Sequence, residues 1–263
     1  GILPIGRIDD RHRHYTPTIV TSTSYTRFGA AEKALRSLNH IRGIWNIFLG
    51  REFRITSGPL SPINRIVVAE KFLELDEKGA PFDGGEWQLP HEGYVTQSCK
   101  IDSLCATRRN TQSFLSRIRE NPMRREIVEA IDRYAQAFDG TSMAISLMAG
   151  WSIVEHLTGA PNHEQAVRRS AAAFHEDVDW ARIIADHIRT RRNALVHANA
   201  DFRDAEVLAF QVKRIVERLI ILLLFGRMKF ASREEFGRYL DLPICRTKLM
   251  ELRQTSSRTM ALI

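Results

Sequence analysis

The 263-residue chain is long enough for one large domain or two small ones with a sizeable core, and its 44% hydrophobic and 26% charged content is ordinary for a globular protein. The net charge is +7, carried by 31 Arg against 7 Lys; the planar guanidinium fork grips phosphates, so the bias is compatible with a polyanionic partner and equally with a basic solvated surface. Cys99, Cys105 and Cys245 are odd in number and form no CxxC pair, which argues against a disulfide scaffold or a Cys-rich zinc site and fits a reducing cytosol. No signal-peptide pattern opens the chain. The longest apolar run, residues 219–225, falls far short of the roughly 18 residues of a membrane span. A cytoplasmic protein with no membrane partner is expected.

Residues 1–27 are polar and Ser/Thr-rich, with a basic stretch at Arg11-His12-Arg13-His14, and read as an arm or edge strand. His12 and His14 beside Asp9 and Asp10 read as a basic tail, and no metal site is expected. Helical spacing runs from Phe28 to Leu49 through Leu35, Leu38, Ile41 and Trp45, with Gly50 as a stop. Residues 57–62 form a turn-rich linker, and 63–75, with Ile66-Val67-Val68, suits a strand. Gly, Pro and Asp cluster in turn-like groups over 79–93, and short strands and loops are expected to about 105.

Helices dominate from about 111. One or two span 111–138, interrupted near Asn121-Pro122. The next covers 141–157, capped by Thr141 or Ser142 and stopped by Gly159-Ala160-Pro161. Shorter or longer helices follow over 163–174, 177–199, 203–228, 232–240 and 246–252. The spacing therefore predicts a mainly α protein, with a smaller mixed α/β N-terminal region over 1–109 and a helical domain over 110–263. His156, His163 and His175 are scattered and read as surface residues.

The segment 189–199, Arg-Thr-Arg-Arg-Asn-Ala-Leu-Val-His-Ala-Asn, carries the most chemistry. On a helical wheel Ile183, Ile184, Ile188, Ala194, Leu195 and Ala198 share one arc, while Arg182, Asp186, Arg189, Asn193 and His197 share the opposite one, with Arg192 at its edge. Arg191 and His187 fall in the apolar arc without an evident reason. His exchanges protons near neutral pH, and Arg holds a phosphate and stabilises charge growing on it. RNA brings its own nucleophile, the 2′-OH, so an Arg and a His suffice for metal-independent cleavage to a 2′,3′-cyclic phosphate and a 5′-OH. The spacing does not select by itself: Arg7/His12, Arg182/His187 and Arg192/His197 all share it.

Context separates them. Residues 141–228 resemble a HEPN domain, whose hallmark is Arg, usually a polar residue, then His a few positions later near the end of a helix in a small bundle. Arg192-Asn193-Ala194-Leu195-Val196-His197 has that form. The preceding Trp151-Ser152-Ile153-Val154-Glu155-His156-Leu157 resembles the family's Trp-x-x-x-Glu-x-Leu pattern, and a long apolar helix follows. Among subgroups, the ApeA-like HEPN proteins of bacterial antiphage (abortive infection) defence are most similar. The resemblance implies a homodimer in which two Arg/His helices meet in a composite cleft. It implies that Arg192 stabilises the phosphate, His197 acts as acid or base, Asn193 positions either, and Glu155 holds Arg192 from the neighbouring helix. Arg189, Arg191 and Asn199 would contact RNA, possibly tRNA. Trp151 reads as core. No cofactor is implied, and the N-terminal region would sense a phage-derived trigger. The alternative is a non-catalytic helical module that binds RNA, a nucleotide or a partner protein.

Overall fold

The computed structural model describes residues 19–49, 62–68, 71–88, 103–198, 204–243 and 245–260. Helix accounts for 70% of them, in nine helices with one two-stranded sheet, so the protein is mainly α with a small mixed N-terminal part. In chain order the elements are α1 (Arg27–Leu49), β1 (Lys71–Leu75), β2 (Pro81–Gln88), α2 (Leu104–Glu120), α3 (Arg124–Ala137) and α4 (Met143–Thr158). They continue with α5 (His163–Ala172), α6 (Val178–Ala198), α7 (Ala205–Phe225), α8 (Arg233–Leu240) and α9 (Arg246–Met260).

Local chemistry sets most of these boundaries. Ser103, Ser142, Asn162 and Ser232 each cap a helix by accepting a bond from a backbone N–H three residues on, which satisfies a donor that has no partner within its helix. Gly159 ends α4 in the left-handed region at φ +57°, where a side chain would be strained. Pro161 follows and Asn162 starts α5, so the chain turns back on itself within a few residues. The expected break at Asn121-Pro122 separates α2 from α3, and the Asn121 side chain is buried, its amide donating to Leu223 O of α7 at 2.9 Å.

The hairpin differs from expectation. The strand begins at Lys71, and Ile66-Val67-Val68 is irregular. The reason lies in α1: Asn46 Oδ1 accepts from the Arg65 and Ile66 N–H groups at 3.1 and 3.0 Å, and Asn46 Nδ2 donates to Ile66 O at 2.9 Å. A helix side chain thus takes the backbone groups that a strand ladder would use. Within the stretch of turn-like clusters and expected short strands lies β2, which pairs antiparallel with β1 from Lys71↔Gln88 to Leu75↔Pro81. The turn between them closes on Asp76, whose Oδ1 accepts from the Lys78 and Ala80 N–H groups. Helix α9 runs eight residues beyond the expected end at 252.

Helix α4 lies at the centre, packed against α3, α5, α7 and α8. Leu147, Trp151, Val154 and Leu157 of α4 join Leu219, Ile220 and Leu223 of α7 and Ile127, Ile131 and Phe138 in one buried cluster. Ile44 and Ile47 of α1 belong to the same cluster, so the N-terminal helix shares the core of the bundle. Helix α7, apolar in composition, also buries Lys213 and Glu217, which pair with each other while Tyr134 of α3 donates to the same Glu217 oxygen. Burial and the Glu217 carboxylate push the Tyr134 hydroxyl pKa well above its ordinary value, so it stays a donor.

The α4–α7 approach requires Gly150. A methyl group there would lie 2.7 Å from Val212 Cγ1 and 2.9 Å from the Phe138 ring, both rigidly packed. Gly150→Ala is expected to destabilise the protein by about 1–3 kcal/mol through overpacking, read as a lower midpoint in denaturant at unchanged slope. A variant as stable as the parent would show that the two helices are not held this closely.

Candidate active site

Five residues from three helices form a continuous polar line beside the bundle core. Trp151 on α4 is fully buried at 0% exposure, as expected of a core residue, and its indole N–H donates to Glu155 Oε1 one turn on at 2.9 Å. The same carboxylate oxygen lies 2.7 Å from Nδ1 of His163, the first residue of α5. Nε2 of that ring faces Arg192 Nη1 of α6 at 3.4 Å, and Nη1 also donates to Asn193 Oδ1 at 3.2 Å. Each link has a local cause. Trp151 and Glu155 are one turn apart on α4. The Gly159-Ala160-Pro161-Asn162 turn folds α5 back so that its first side chain meets Glu155. Packing of α6 against α5 then brings in Arg192.

The chemistry of the partners sets the tautomer of His163. A guanidinium has only donors, so Nε2 is the acceptor in its contact, and Nδ1 carries the hydrogen given to Glu155. The result is a carboxylate–imidazole pair whose unprotonated nitrogen points at a cation. Such an arrangement can hold an oxyanion at the guanidinium and exchange a proton at the adjacent imidazole.

Arg192 and its sequence neighbour Asn193 are in contact through their side chains. The backbone of His197 lies in the last turn of α6, while its side chain, and all of Asn199, fall outside the described residues. Glu155 makes no direct ion pair with Arg192. It reaches the guanidinium only through His163, because the imidazole occupies the space between them. Two of the arginines expected at RNA are engaged within the chain: Arg189 pairs with Asp186 at 2.8 Å, and Arg191 with Asp204 at 3.4 Å. Asp204 also takes His187 Nε2 at 3.2 Å, which accounts for the two side chains that fell in the apolar arc. They turn to the carboxylate at the start of α7, at the corner where the chain leaves α6. Ile183, placed on the apolar arc by the wheel, is 69% exposed, since Ala181, Ala185 and Ile188 form the buried stripe of α6.

His163 is the residue that sequence reading missed, and His156 also departs from its expected surface place. His156 is half-buried between α4 and Glu129 of α3, on a different side of α4 from Glu155. Among the described residues no group of three or more His, Cys, Asp and Glu could hold a metal ion. No helix among them is long and apolar enough to cross a membrane. No protein-family model matches the chain, and no curated protein or solved structure matches it.

Burial lowers the His156 pKa from its ordinary 6.5, with Arg133 and Arg233 adding to the effect and Glu129 opposing it. The unfolded chain then binds the proton more readily than the folded one, so stability falls as pH drops from about 6.5 toward the lower folded value. His156→Gln is expected to flatten that dependence in denaturation series between about pH 5 and 7. An unchanged slope in this window would contradict the assignment.

Proposed function

We propose that the protein is a metal-independent endoribonuclease of the HEPN type, cleaving RNA by 2′-OH attack to leave 2′,3′-cyclic phosphate and 5′-OH ends. The observation that carries the reading is the contact of Arg192 with Asn193 and His163 near the C-terminal end of α6, the helix that also bears His197. It supplies a phosphate-binding guanidinium, a neighbouring imidazole and a buried anchor in one place. The Trp151–Glu155 bond gives the helix before the motif a role in that arrangement. RNA is the substrate in this reading because DNA lacks the internal nucleophile.

The reading includes a second copy of the chain, with two α6 helices facing one cleft. Trp180 and Ile183 stand exposed on the face of that helix away from Arg192 and are the apolar surface a second copy would cover. An abortive-infection role in the bacterial cytoplasm, triggered by a phage component through the N-terminal region, belongs to the same proposal and follows from the resemblance.

Wild type incubated with total RNA in EDTA is expected to release fragments with cyclic phosphate ends. Arg192→Ala and His197→Ala each reduce the rate by about 10²–10⁴-fold, the usual range for loss of an acid–base or charge-stabilising group. A requirement for divalent metal, or full activity in both variants, would sink the proposal. Sedimentation of wild type against Ile183→Glu tests the second copy: a dimer converted to a monomer is the expected result.

A further inference from the structure

Among the described side chains, a histidine outside the motif, His163, lies against Arg192. We propose that His163, held by Glu155, is the general base of the cleavage step, leaving His197 as the acid. The assignment rests on the ribonuclease reading and adds to it a base supplied from the start of α5.

Four observations carry it. First, Glu155 Oε1 lies 2.7 Å from Nδ1, which makes that nitrogen the donor and leaves the Nε2 lone pair pointing away from the carboxylate. A carboxylate behind an imidazole fixes the ring orientation and stabilises the imidazolium formed when the ring takes a proton. Second, Nε2 is 3.4 Å from Arg192 Nη1, so a phosphate drawn onto the guanidinium replaces that contact and places the adjacent ribose next to the free nitrogen. Third, the pair stands on a rigid support, because Glu155 also accepts from the indole of fully buried Trp151. Fourth, the His163 side chain is 43% exposed, so substrate can reach it. The other described histidines are placed differently: His40 faces Asp132, His156 faces Glu129, His187 is turned to Asp204, and His175 is exposed in the turn before α6.

The step balances without any co-reactant. The 2′-O–H proton passes to His163 Nε2 as the 2′-oxygen bonds to phosphorus. The P–O5′ bond breaks, and the departing O5′ takes a proton from the His197 imidazolium. Arg192 neutralises the charge on the non-bridging oxygens throughout. Exchange of one proton with solvent at each imidazole restores the starting state.

The test compares two substrates on the intact protein. One is an RNA oligonucleotide; the other carries sulfur in place of the scissile 5′-bridging oxygen, a leaving group that needs no protonation. On oxygen RNA, His163→Ala and His197→Ala both lose about 10²–10⁴-fold in rate. On the sulfur substrate His197→Ala recovers to near the wild-type rate, and His163→Ala does not. His163→Gln, which can still bridge Glu155 and Arg192 but cannot take a proton, stays as slow as His163→Ala, and circular dichroism shows all three variants folded. Recovery in His163→Gln would make His163 a positioning residue and overturn the base assignment. So would rescue of His163→Ala by sulfur, or a His163→Ala rate within threefold of wild type while Arg192→Ala is inactive; these results leave the ribonuclease reading intact. Wild type that cleaves neither substrate would overturn both.

Discussion

The close approach of α4 to α7 at Gly150 is the constraint on which the other placements depend. With no side chain at that position, the two helices interlock and Trp151 is enclosed completely. Burying an aromatic side chain of this size contributes on the order of 2–3 kcal/mol, and cores resist even one extra methyl group, so α4 has little freedom to shift. Everything attached to α4 inherits that rigidity. Its indole nitrogen must find an acceptor, and Glu155 one turn along provides it. Glu155 in turn orients His163, and His163 meets Arg192. The candidate site is thus the surface end of a chain of contacts that begins in the hydrophobic core.

Many of the arginines that make the chain basic serve the fold. Arg42 is buried and pairs with Asp139, Arg169 is buried and pairs with Asp241 of the segment after α8, and Arg191 closes the α6–α7 corner. Arg169 also donates to the carbonyls of Thr158 and Gly159, satisfying the end of α4 where the turn toward His163 begins. Breaking such a buried pair leaves an uncompensated charge, which is far more costly than losing a surface bridge. A positive net charge is therefore a weak guide to a polyanionic partner in this protein. Arg192 is distinguished by its company: Asn193 accepts from it and His163 lies against it, and no carboxylate pairs with it among the described residues.

The helices were legible because their signals are local. Ser142 and Gly159 bracket α4, Asn162 and Ser232 start α5 and α8, and Pro122 marks the break before α3. The hairpin was less legible, since Ile66 and Val67 have strand propensity but Asn46, distant in sequence, takes the backbone bonds of Arg65 and Ile66. Within the site, Arg192 and Asn193 were found from their motif. Glu155 was expected to hold the arginine directly, and the imidazole between them was not foreseen. A signal for it exists: Gly-Ala-Pro-Asn after Glu155 is a helix stop followed at once by a helix start, which returns the first residue of α5 to the last turns of α4. Tertiary packing of α6 on α5 then decides that Arg192 is the third member, and no local pattern encodes that.

The Glu155–His163–Arg192 line orients the imidazole with Nδ1 protonated and Nε2 free. Long-range proton–nitrogen NMR of the histidine rings tests it directly, at a pH where His163 is neutral. The predicted result is a His163 signal with the hydrogen on Nδ1, and a shift in that tautomer balance in Glu155→Gln. A ring protonated on Nε2, or one indifferent to the loss of the Glu155 charge, would contradict the account.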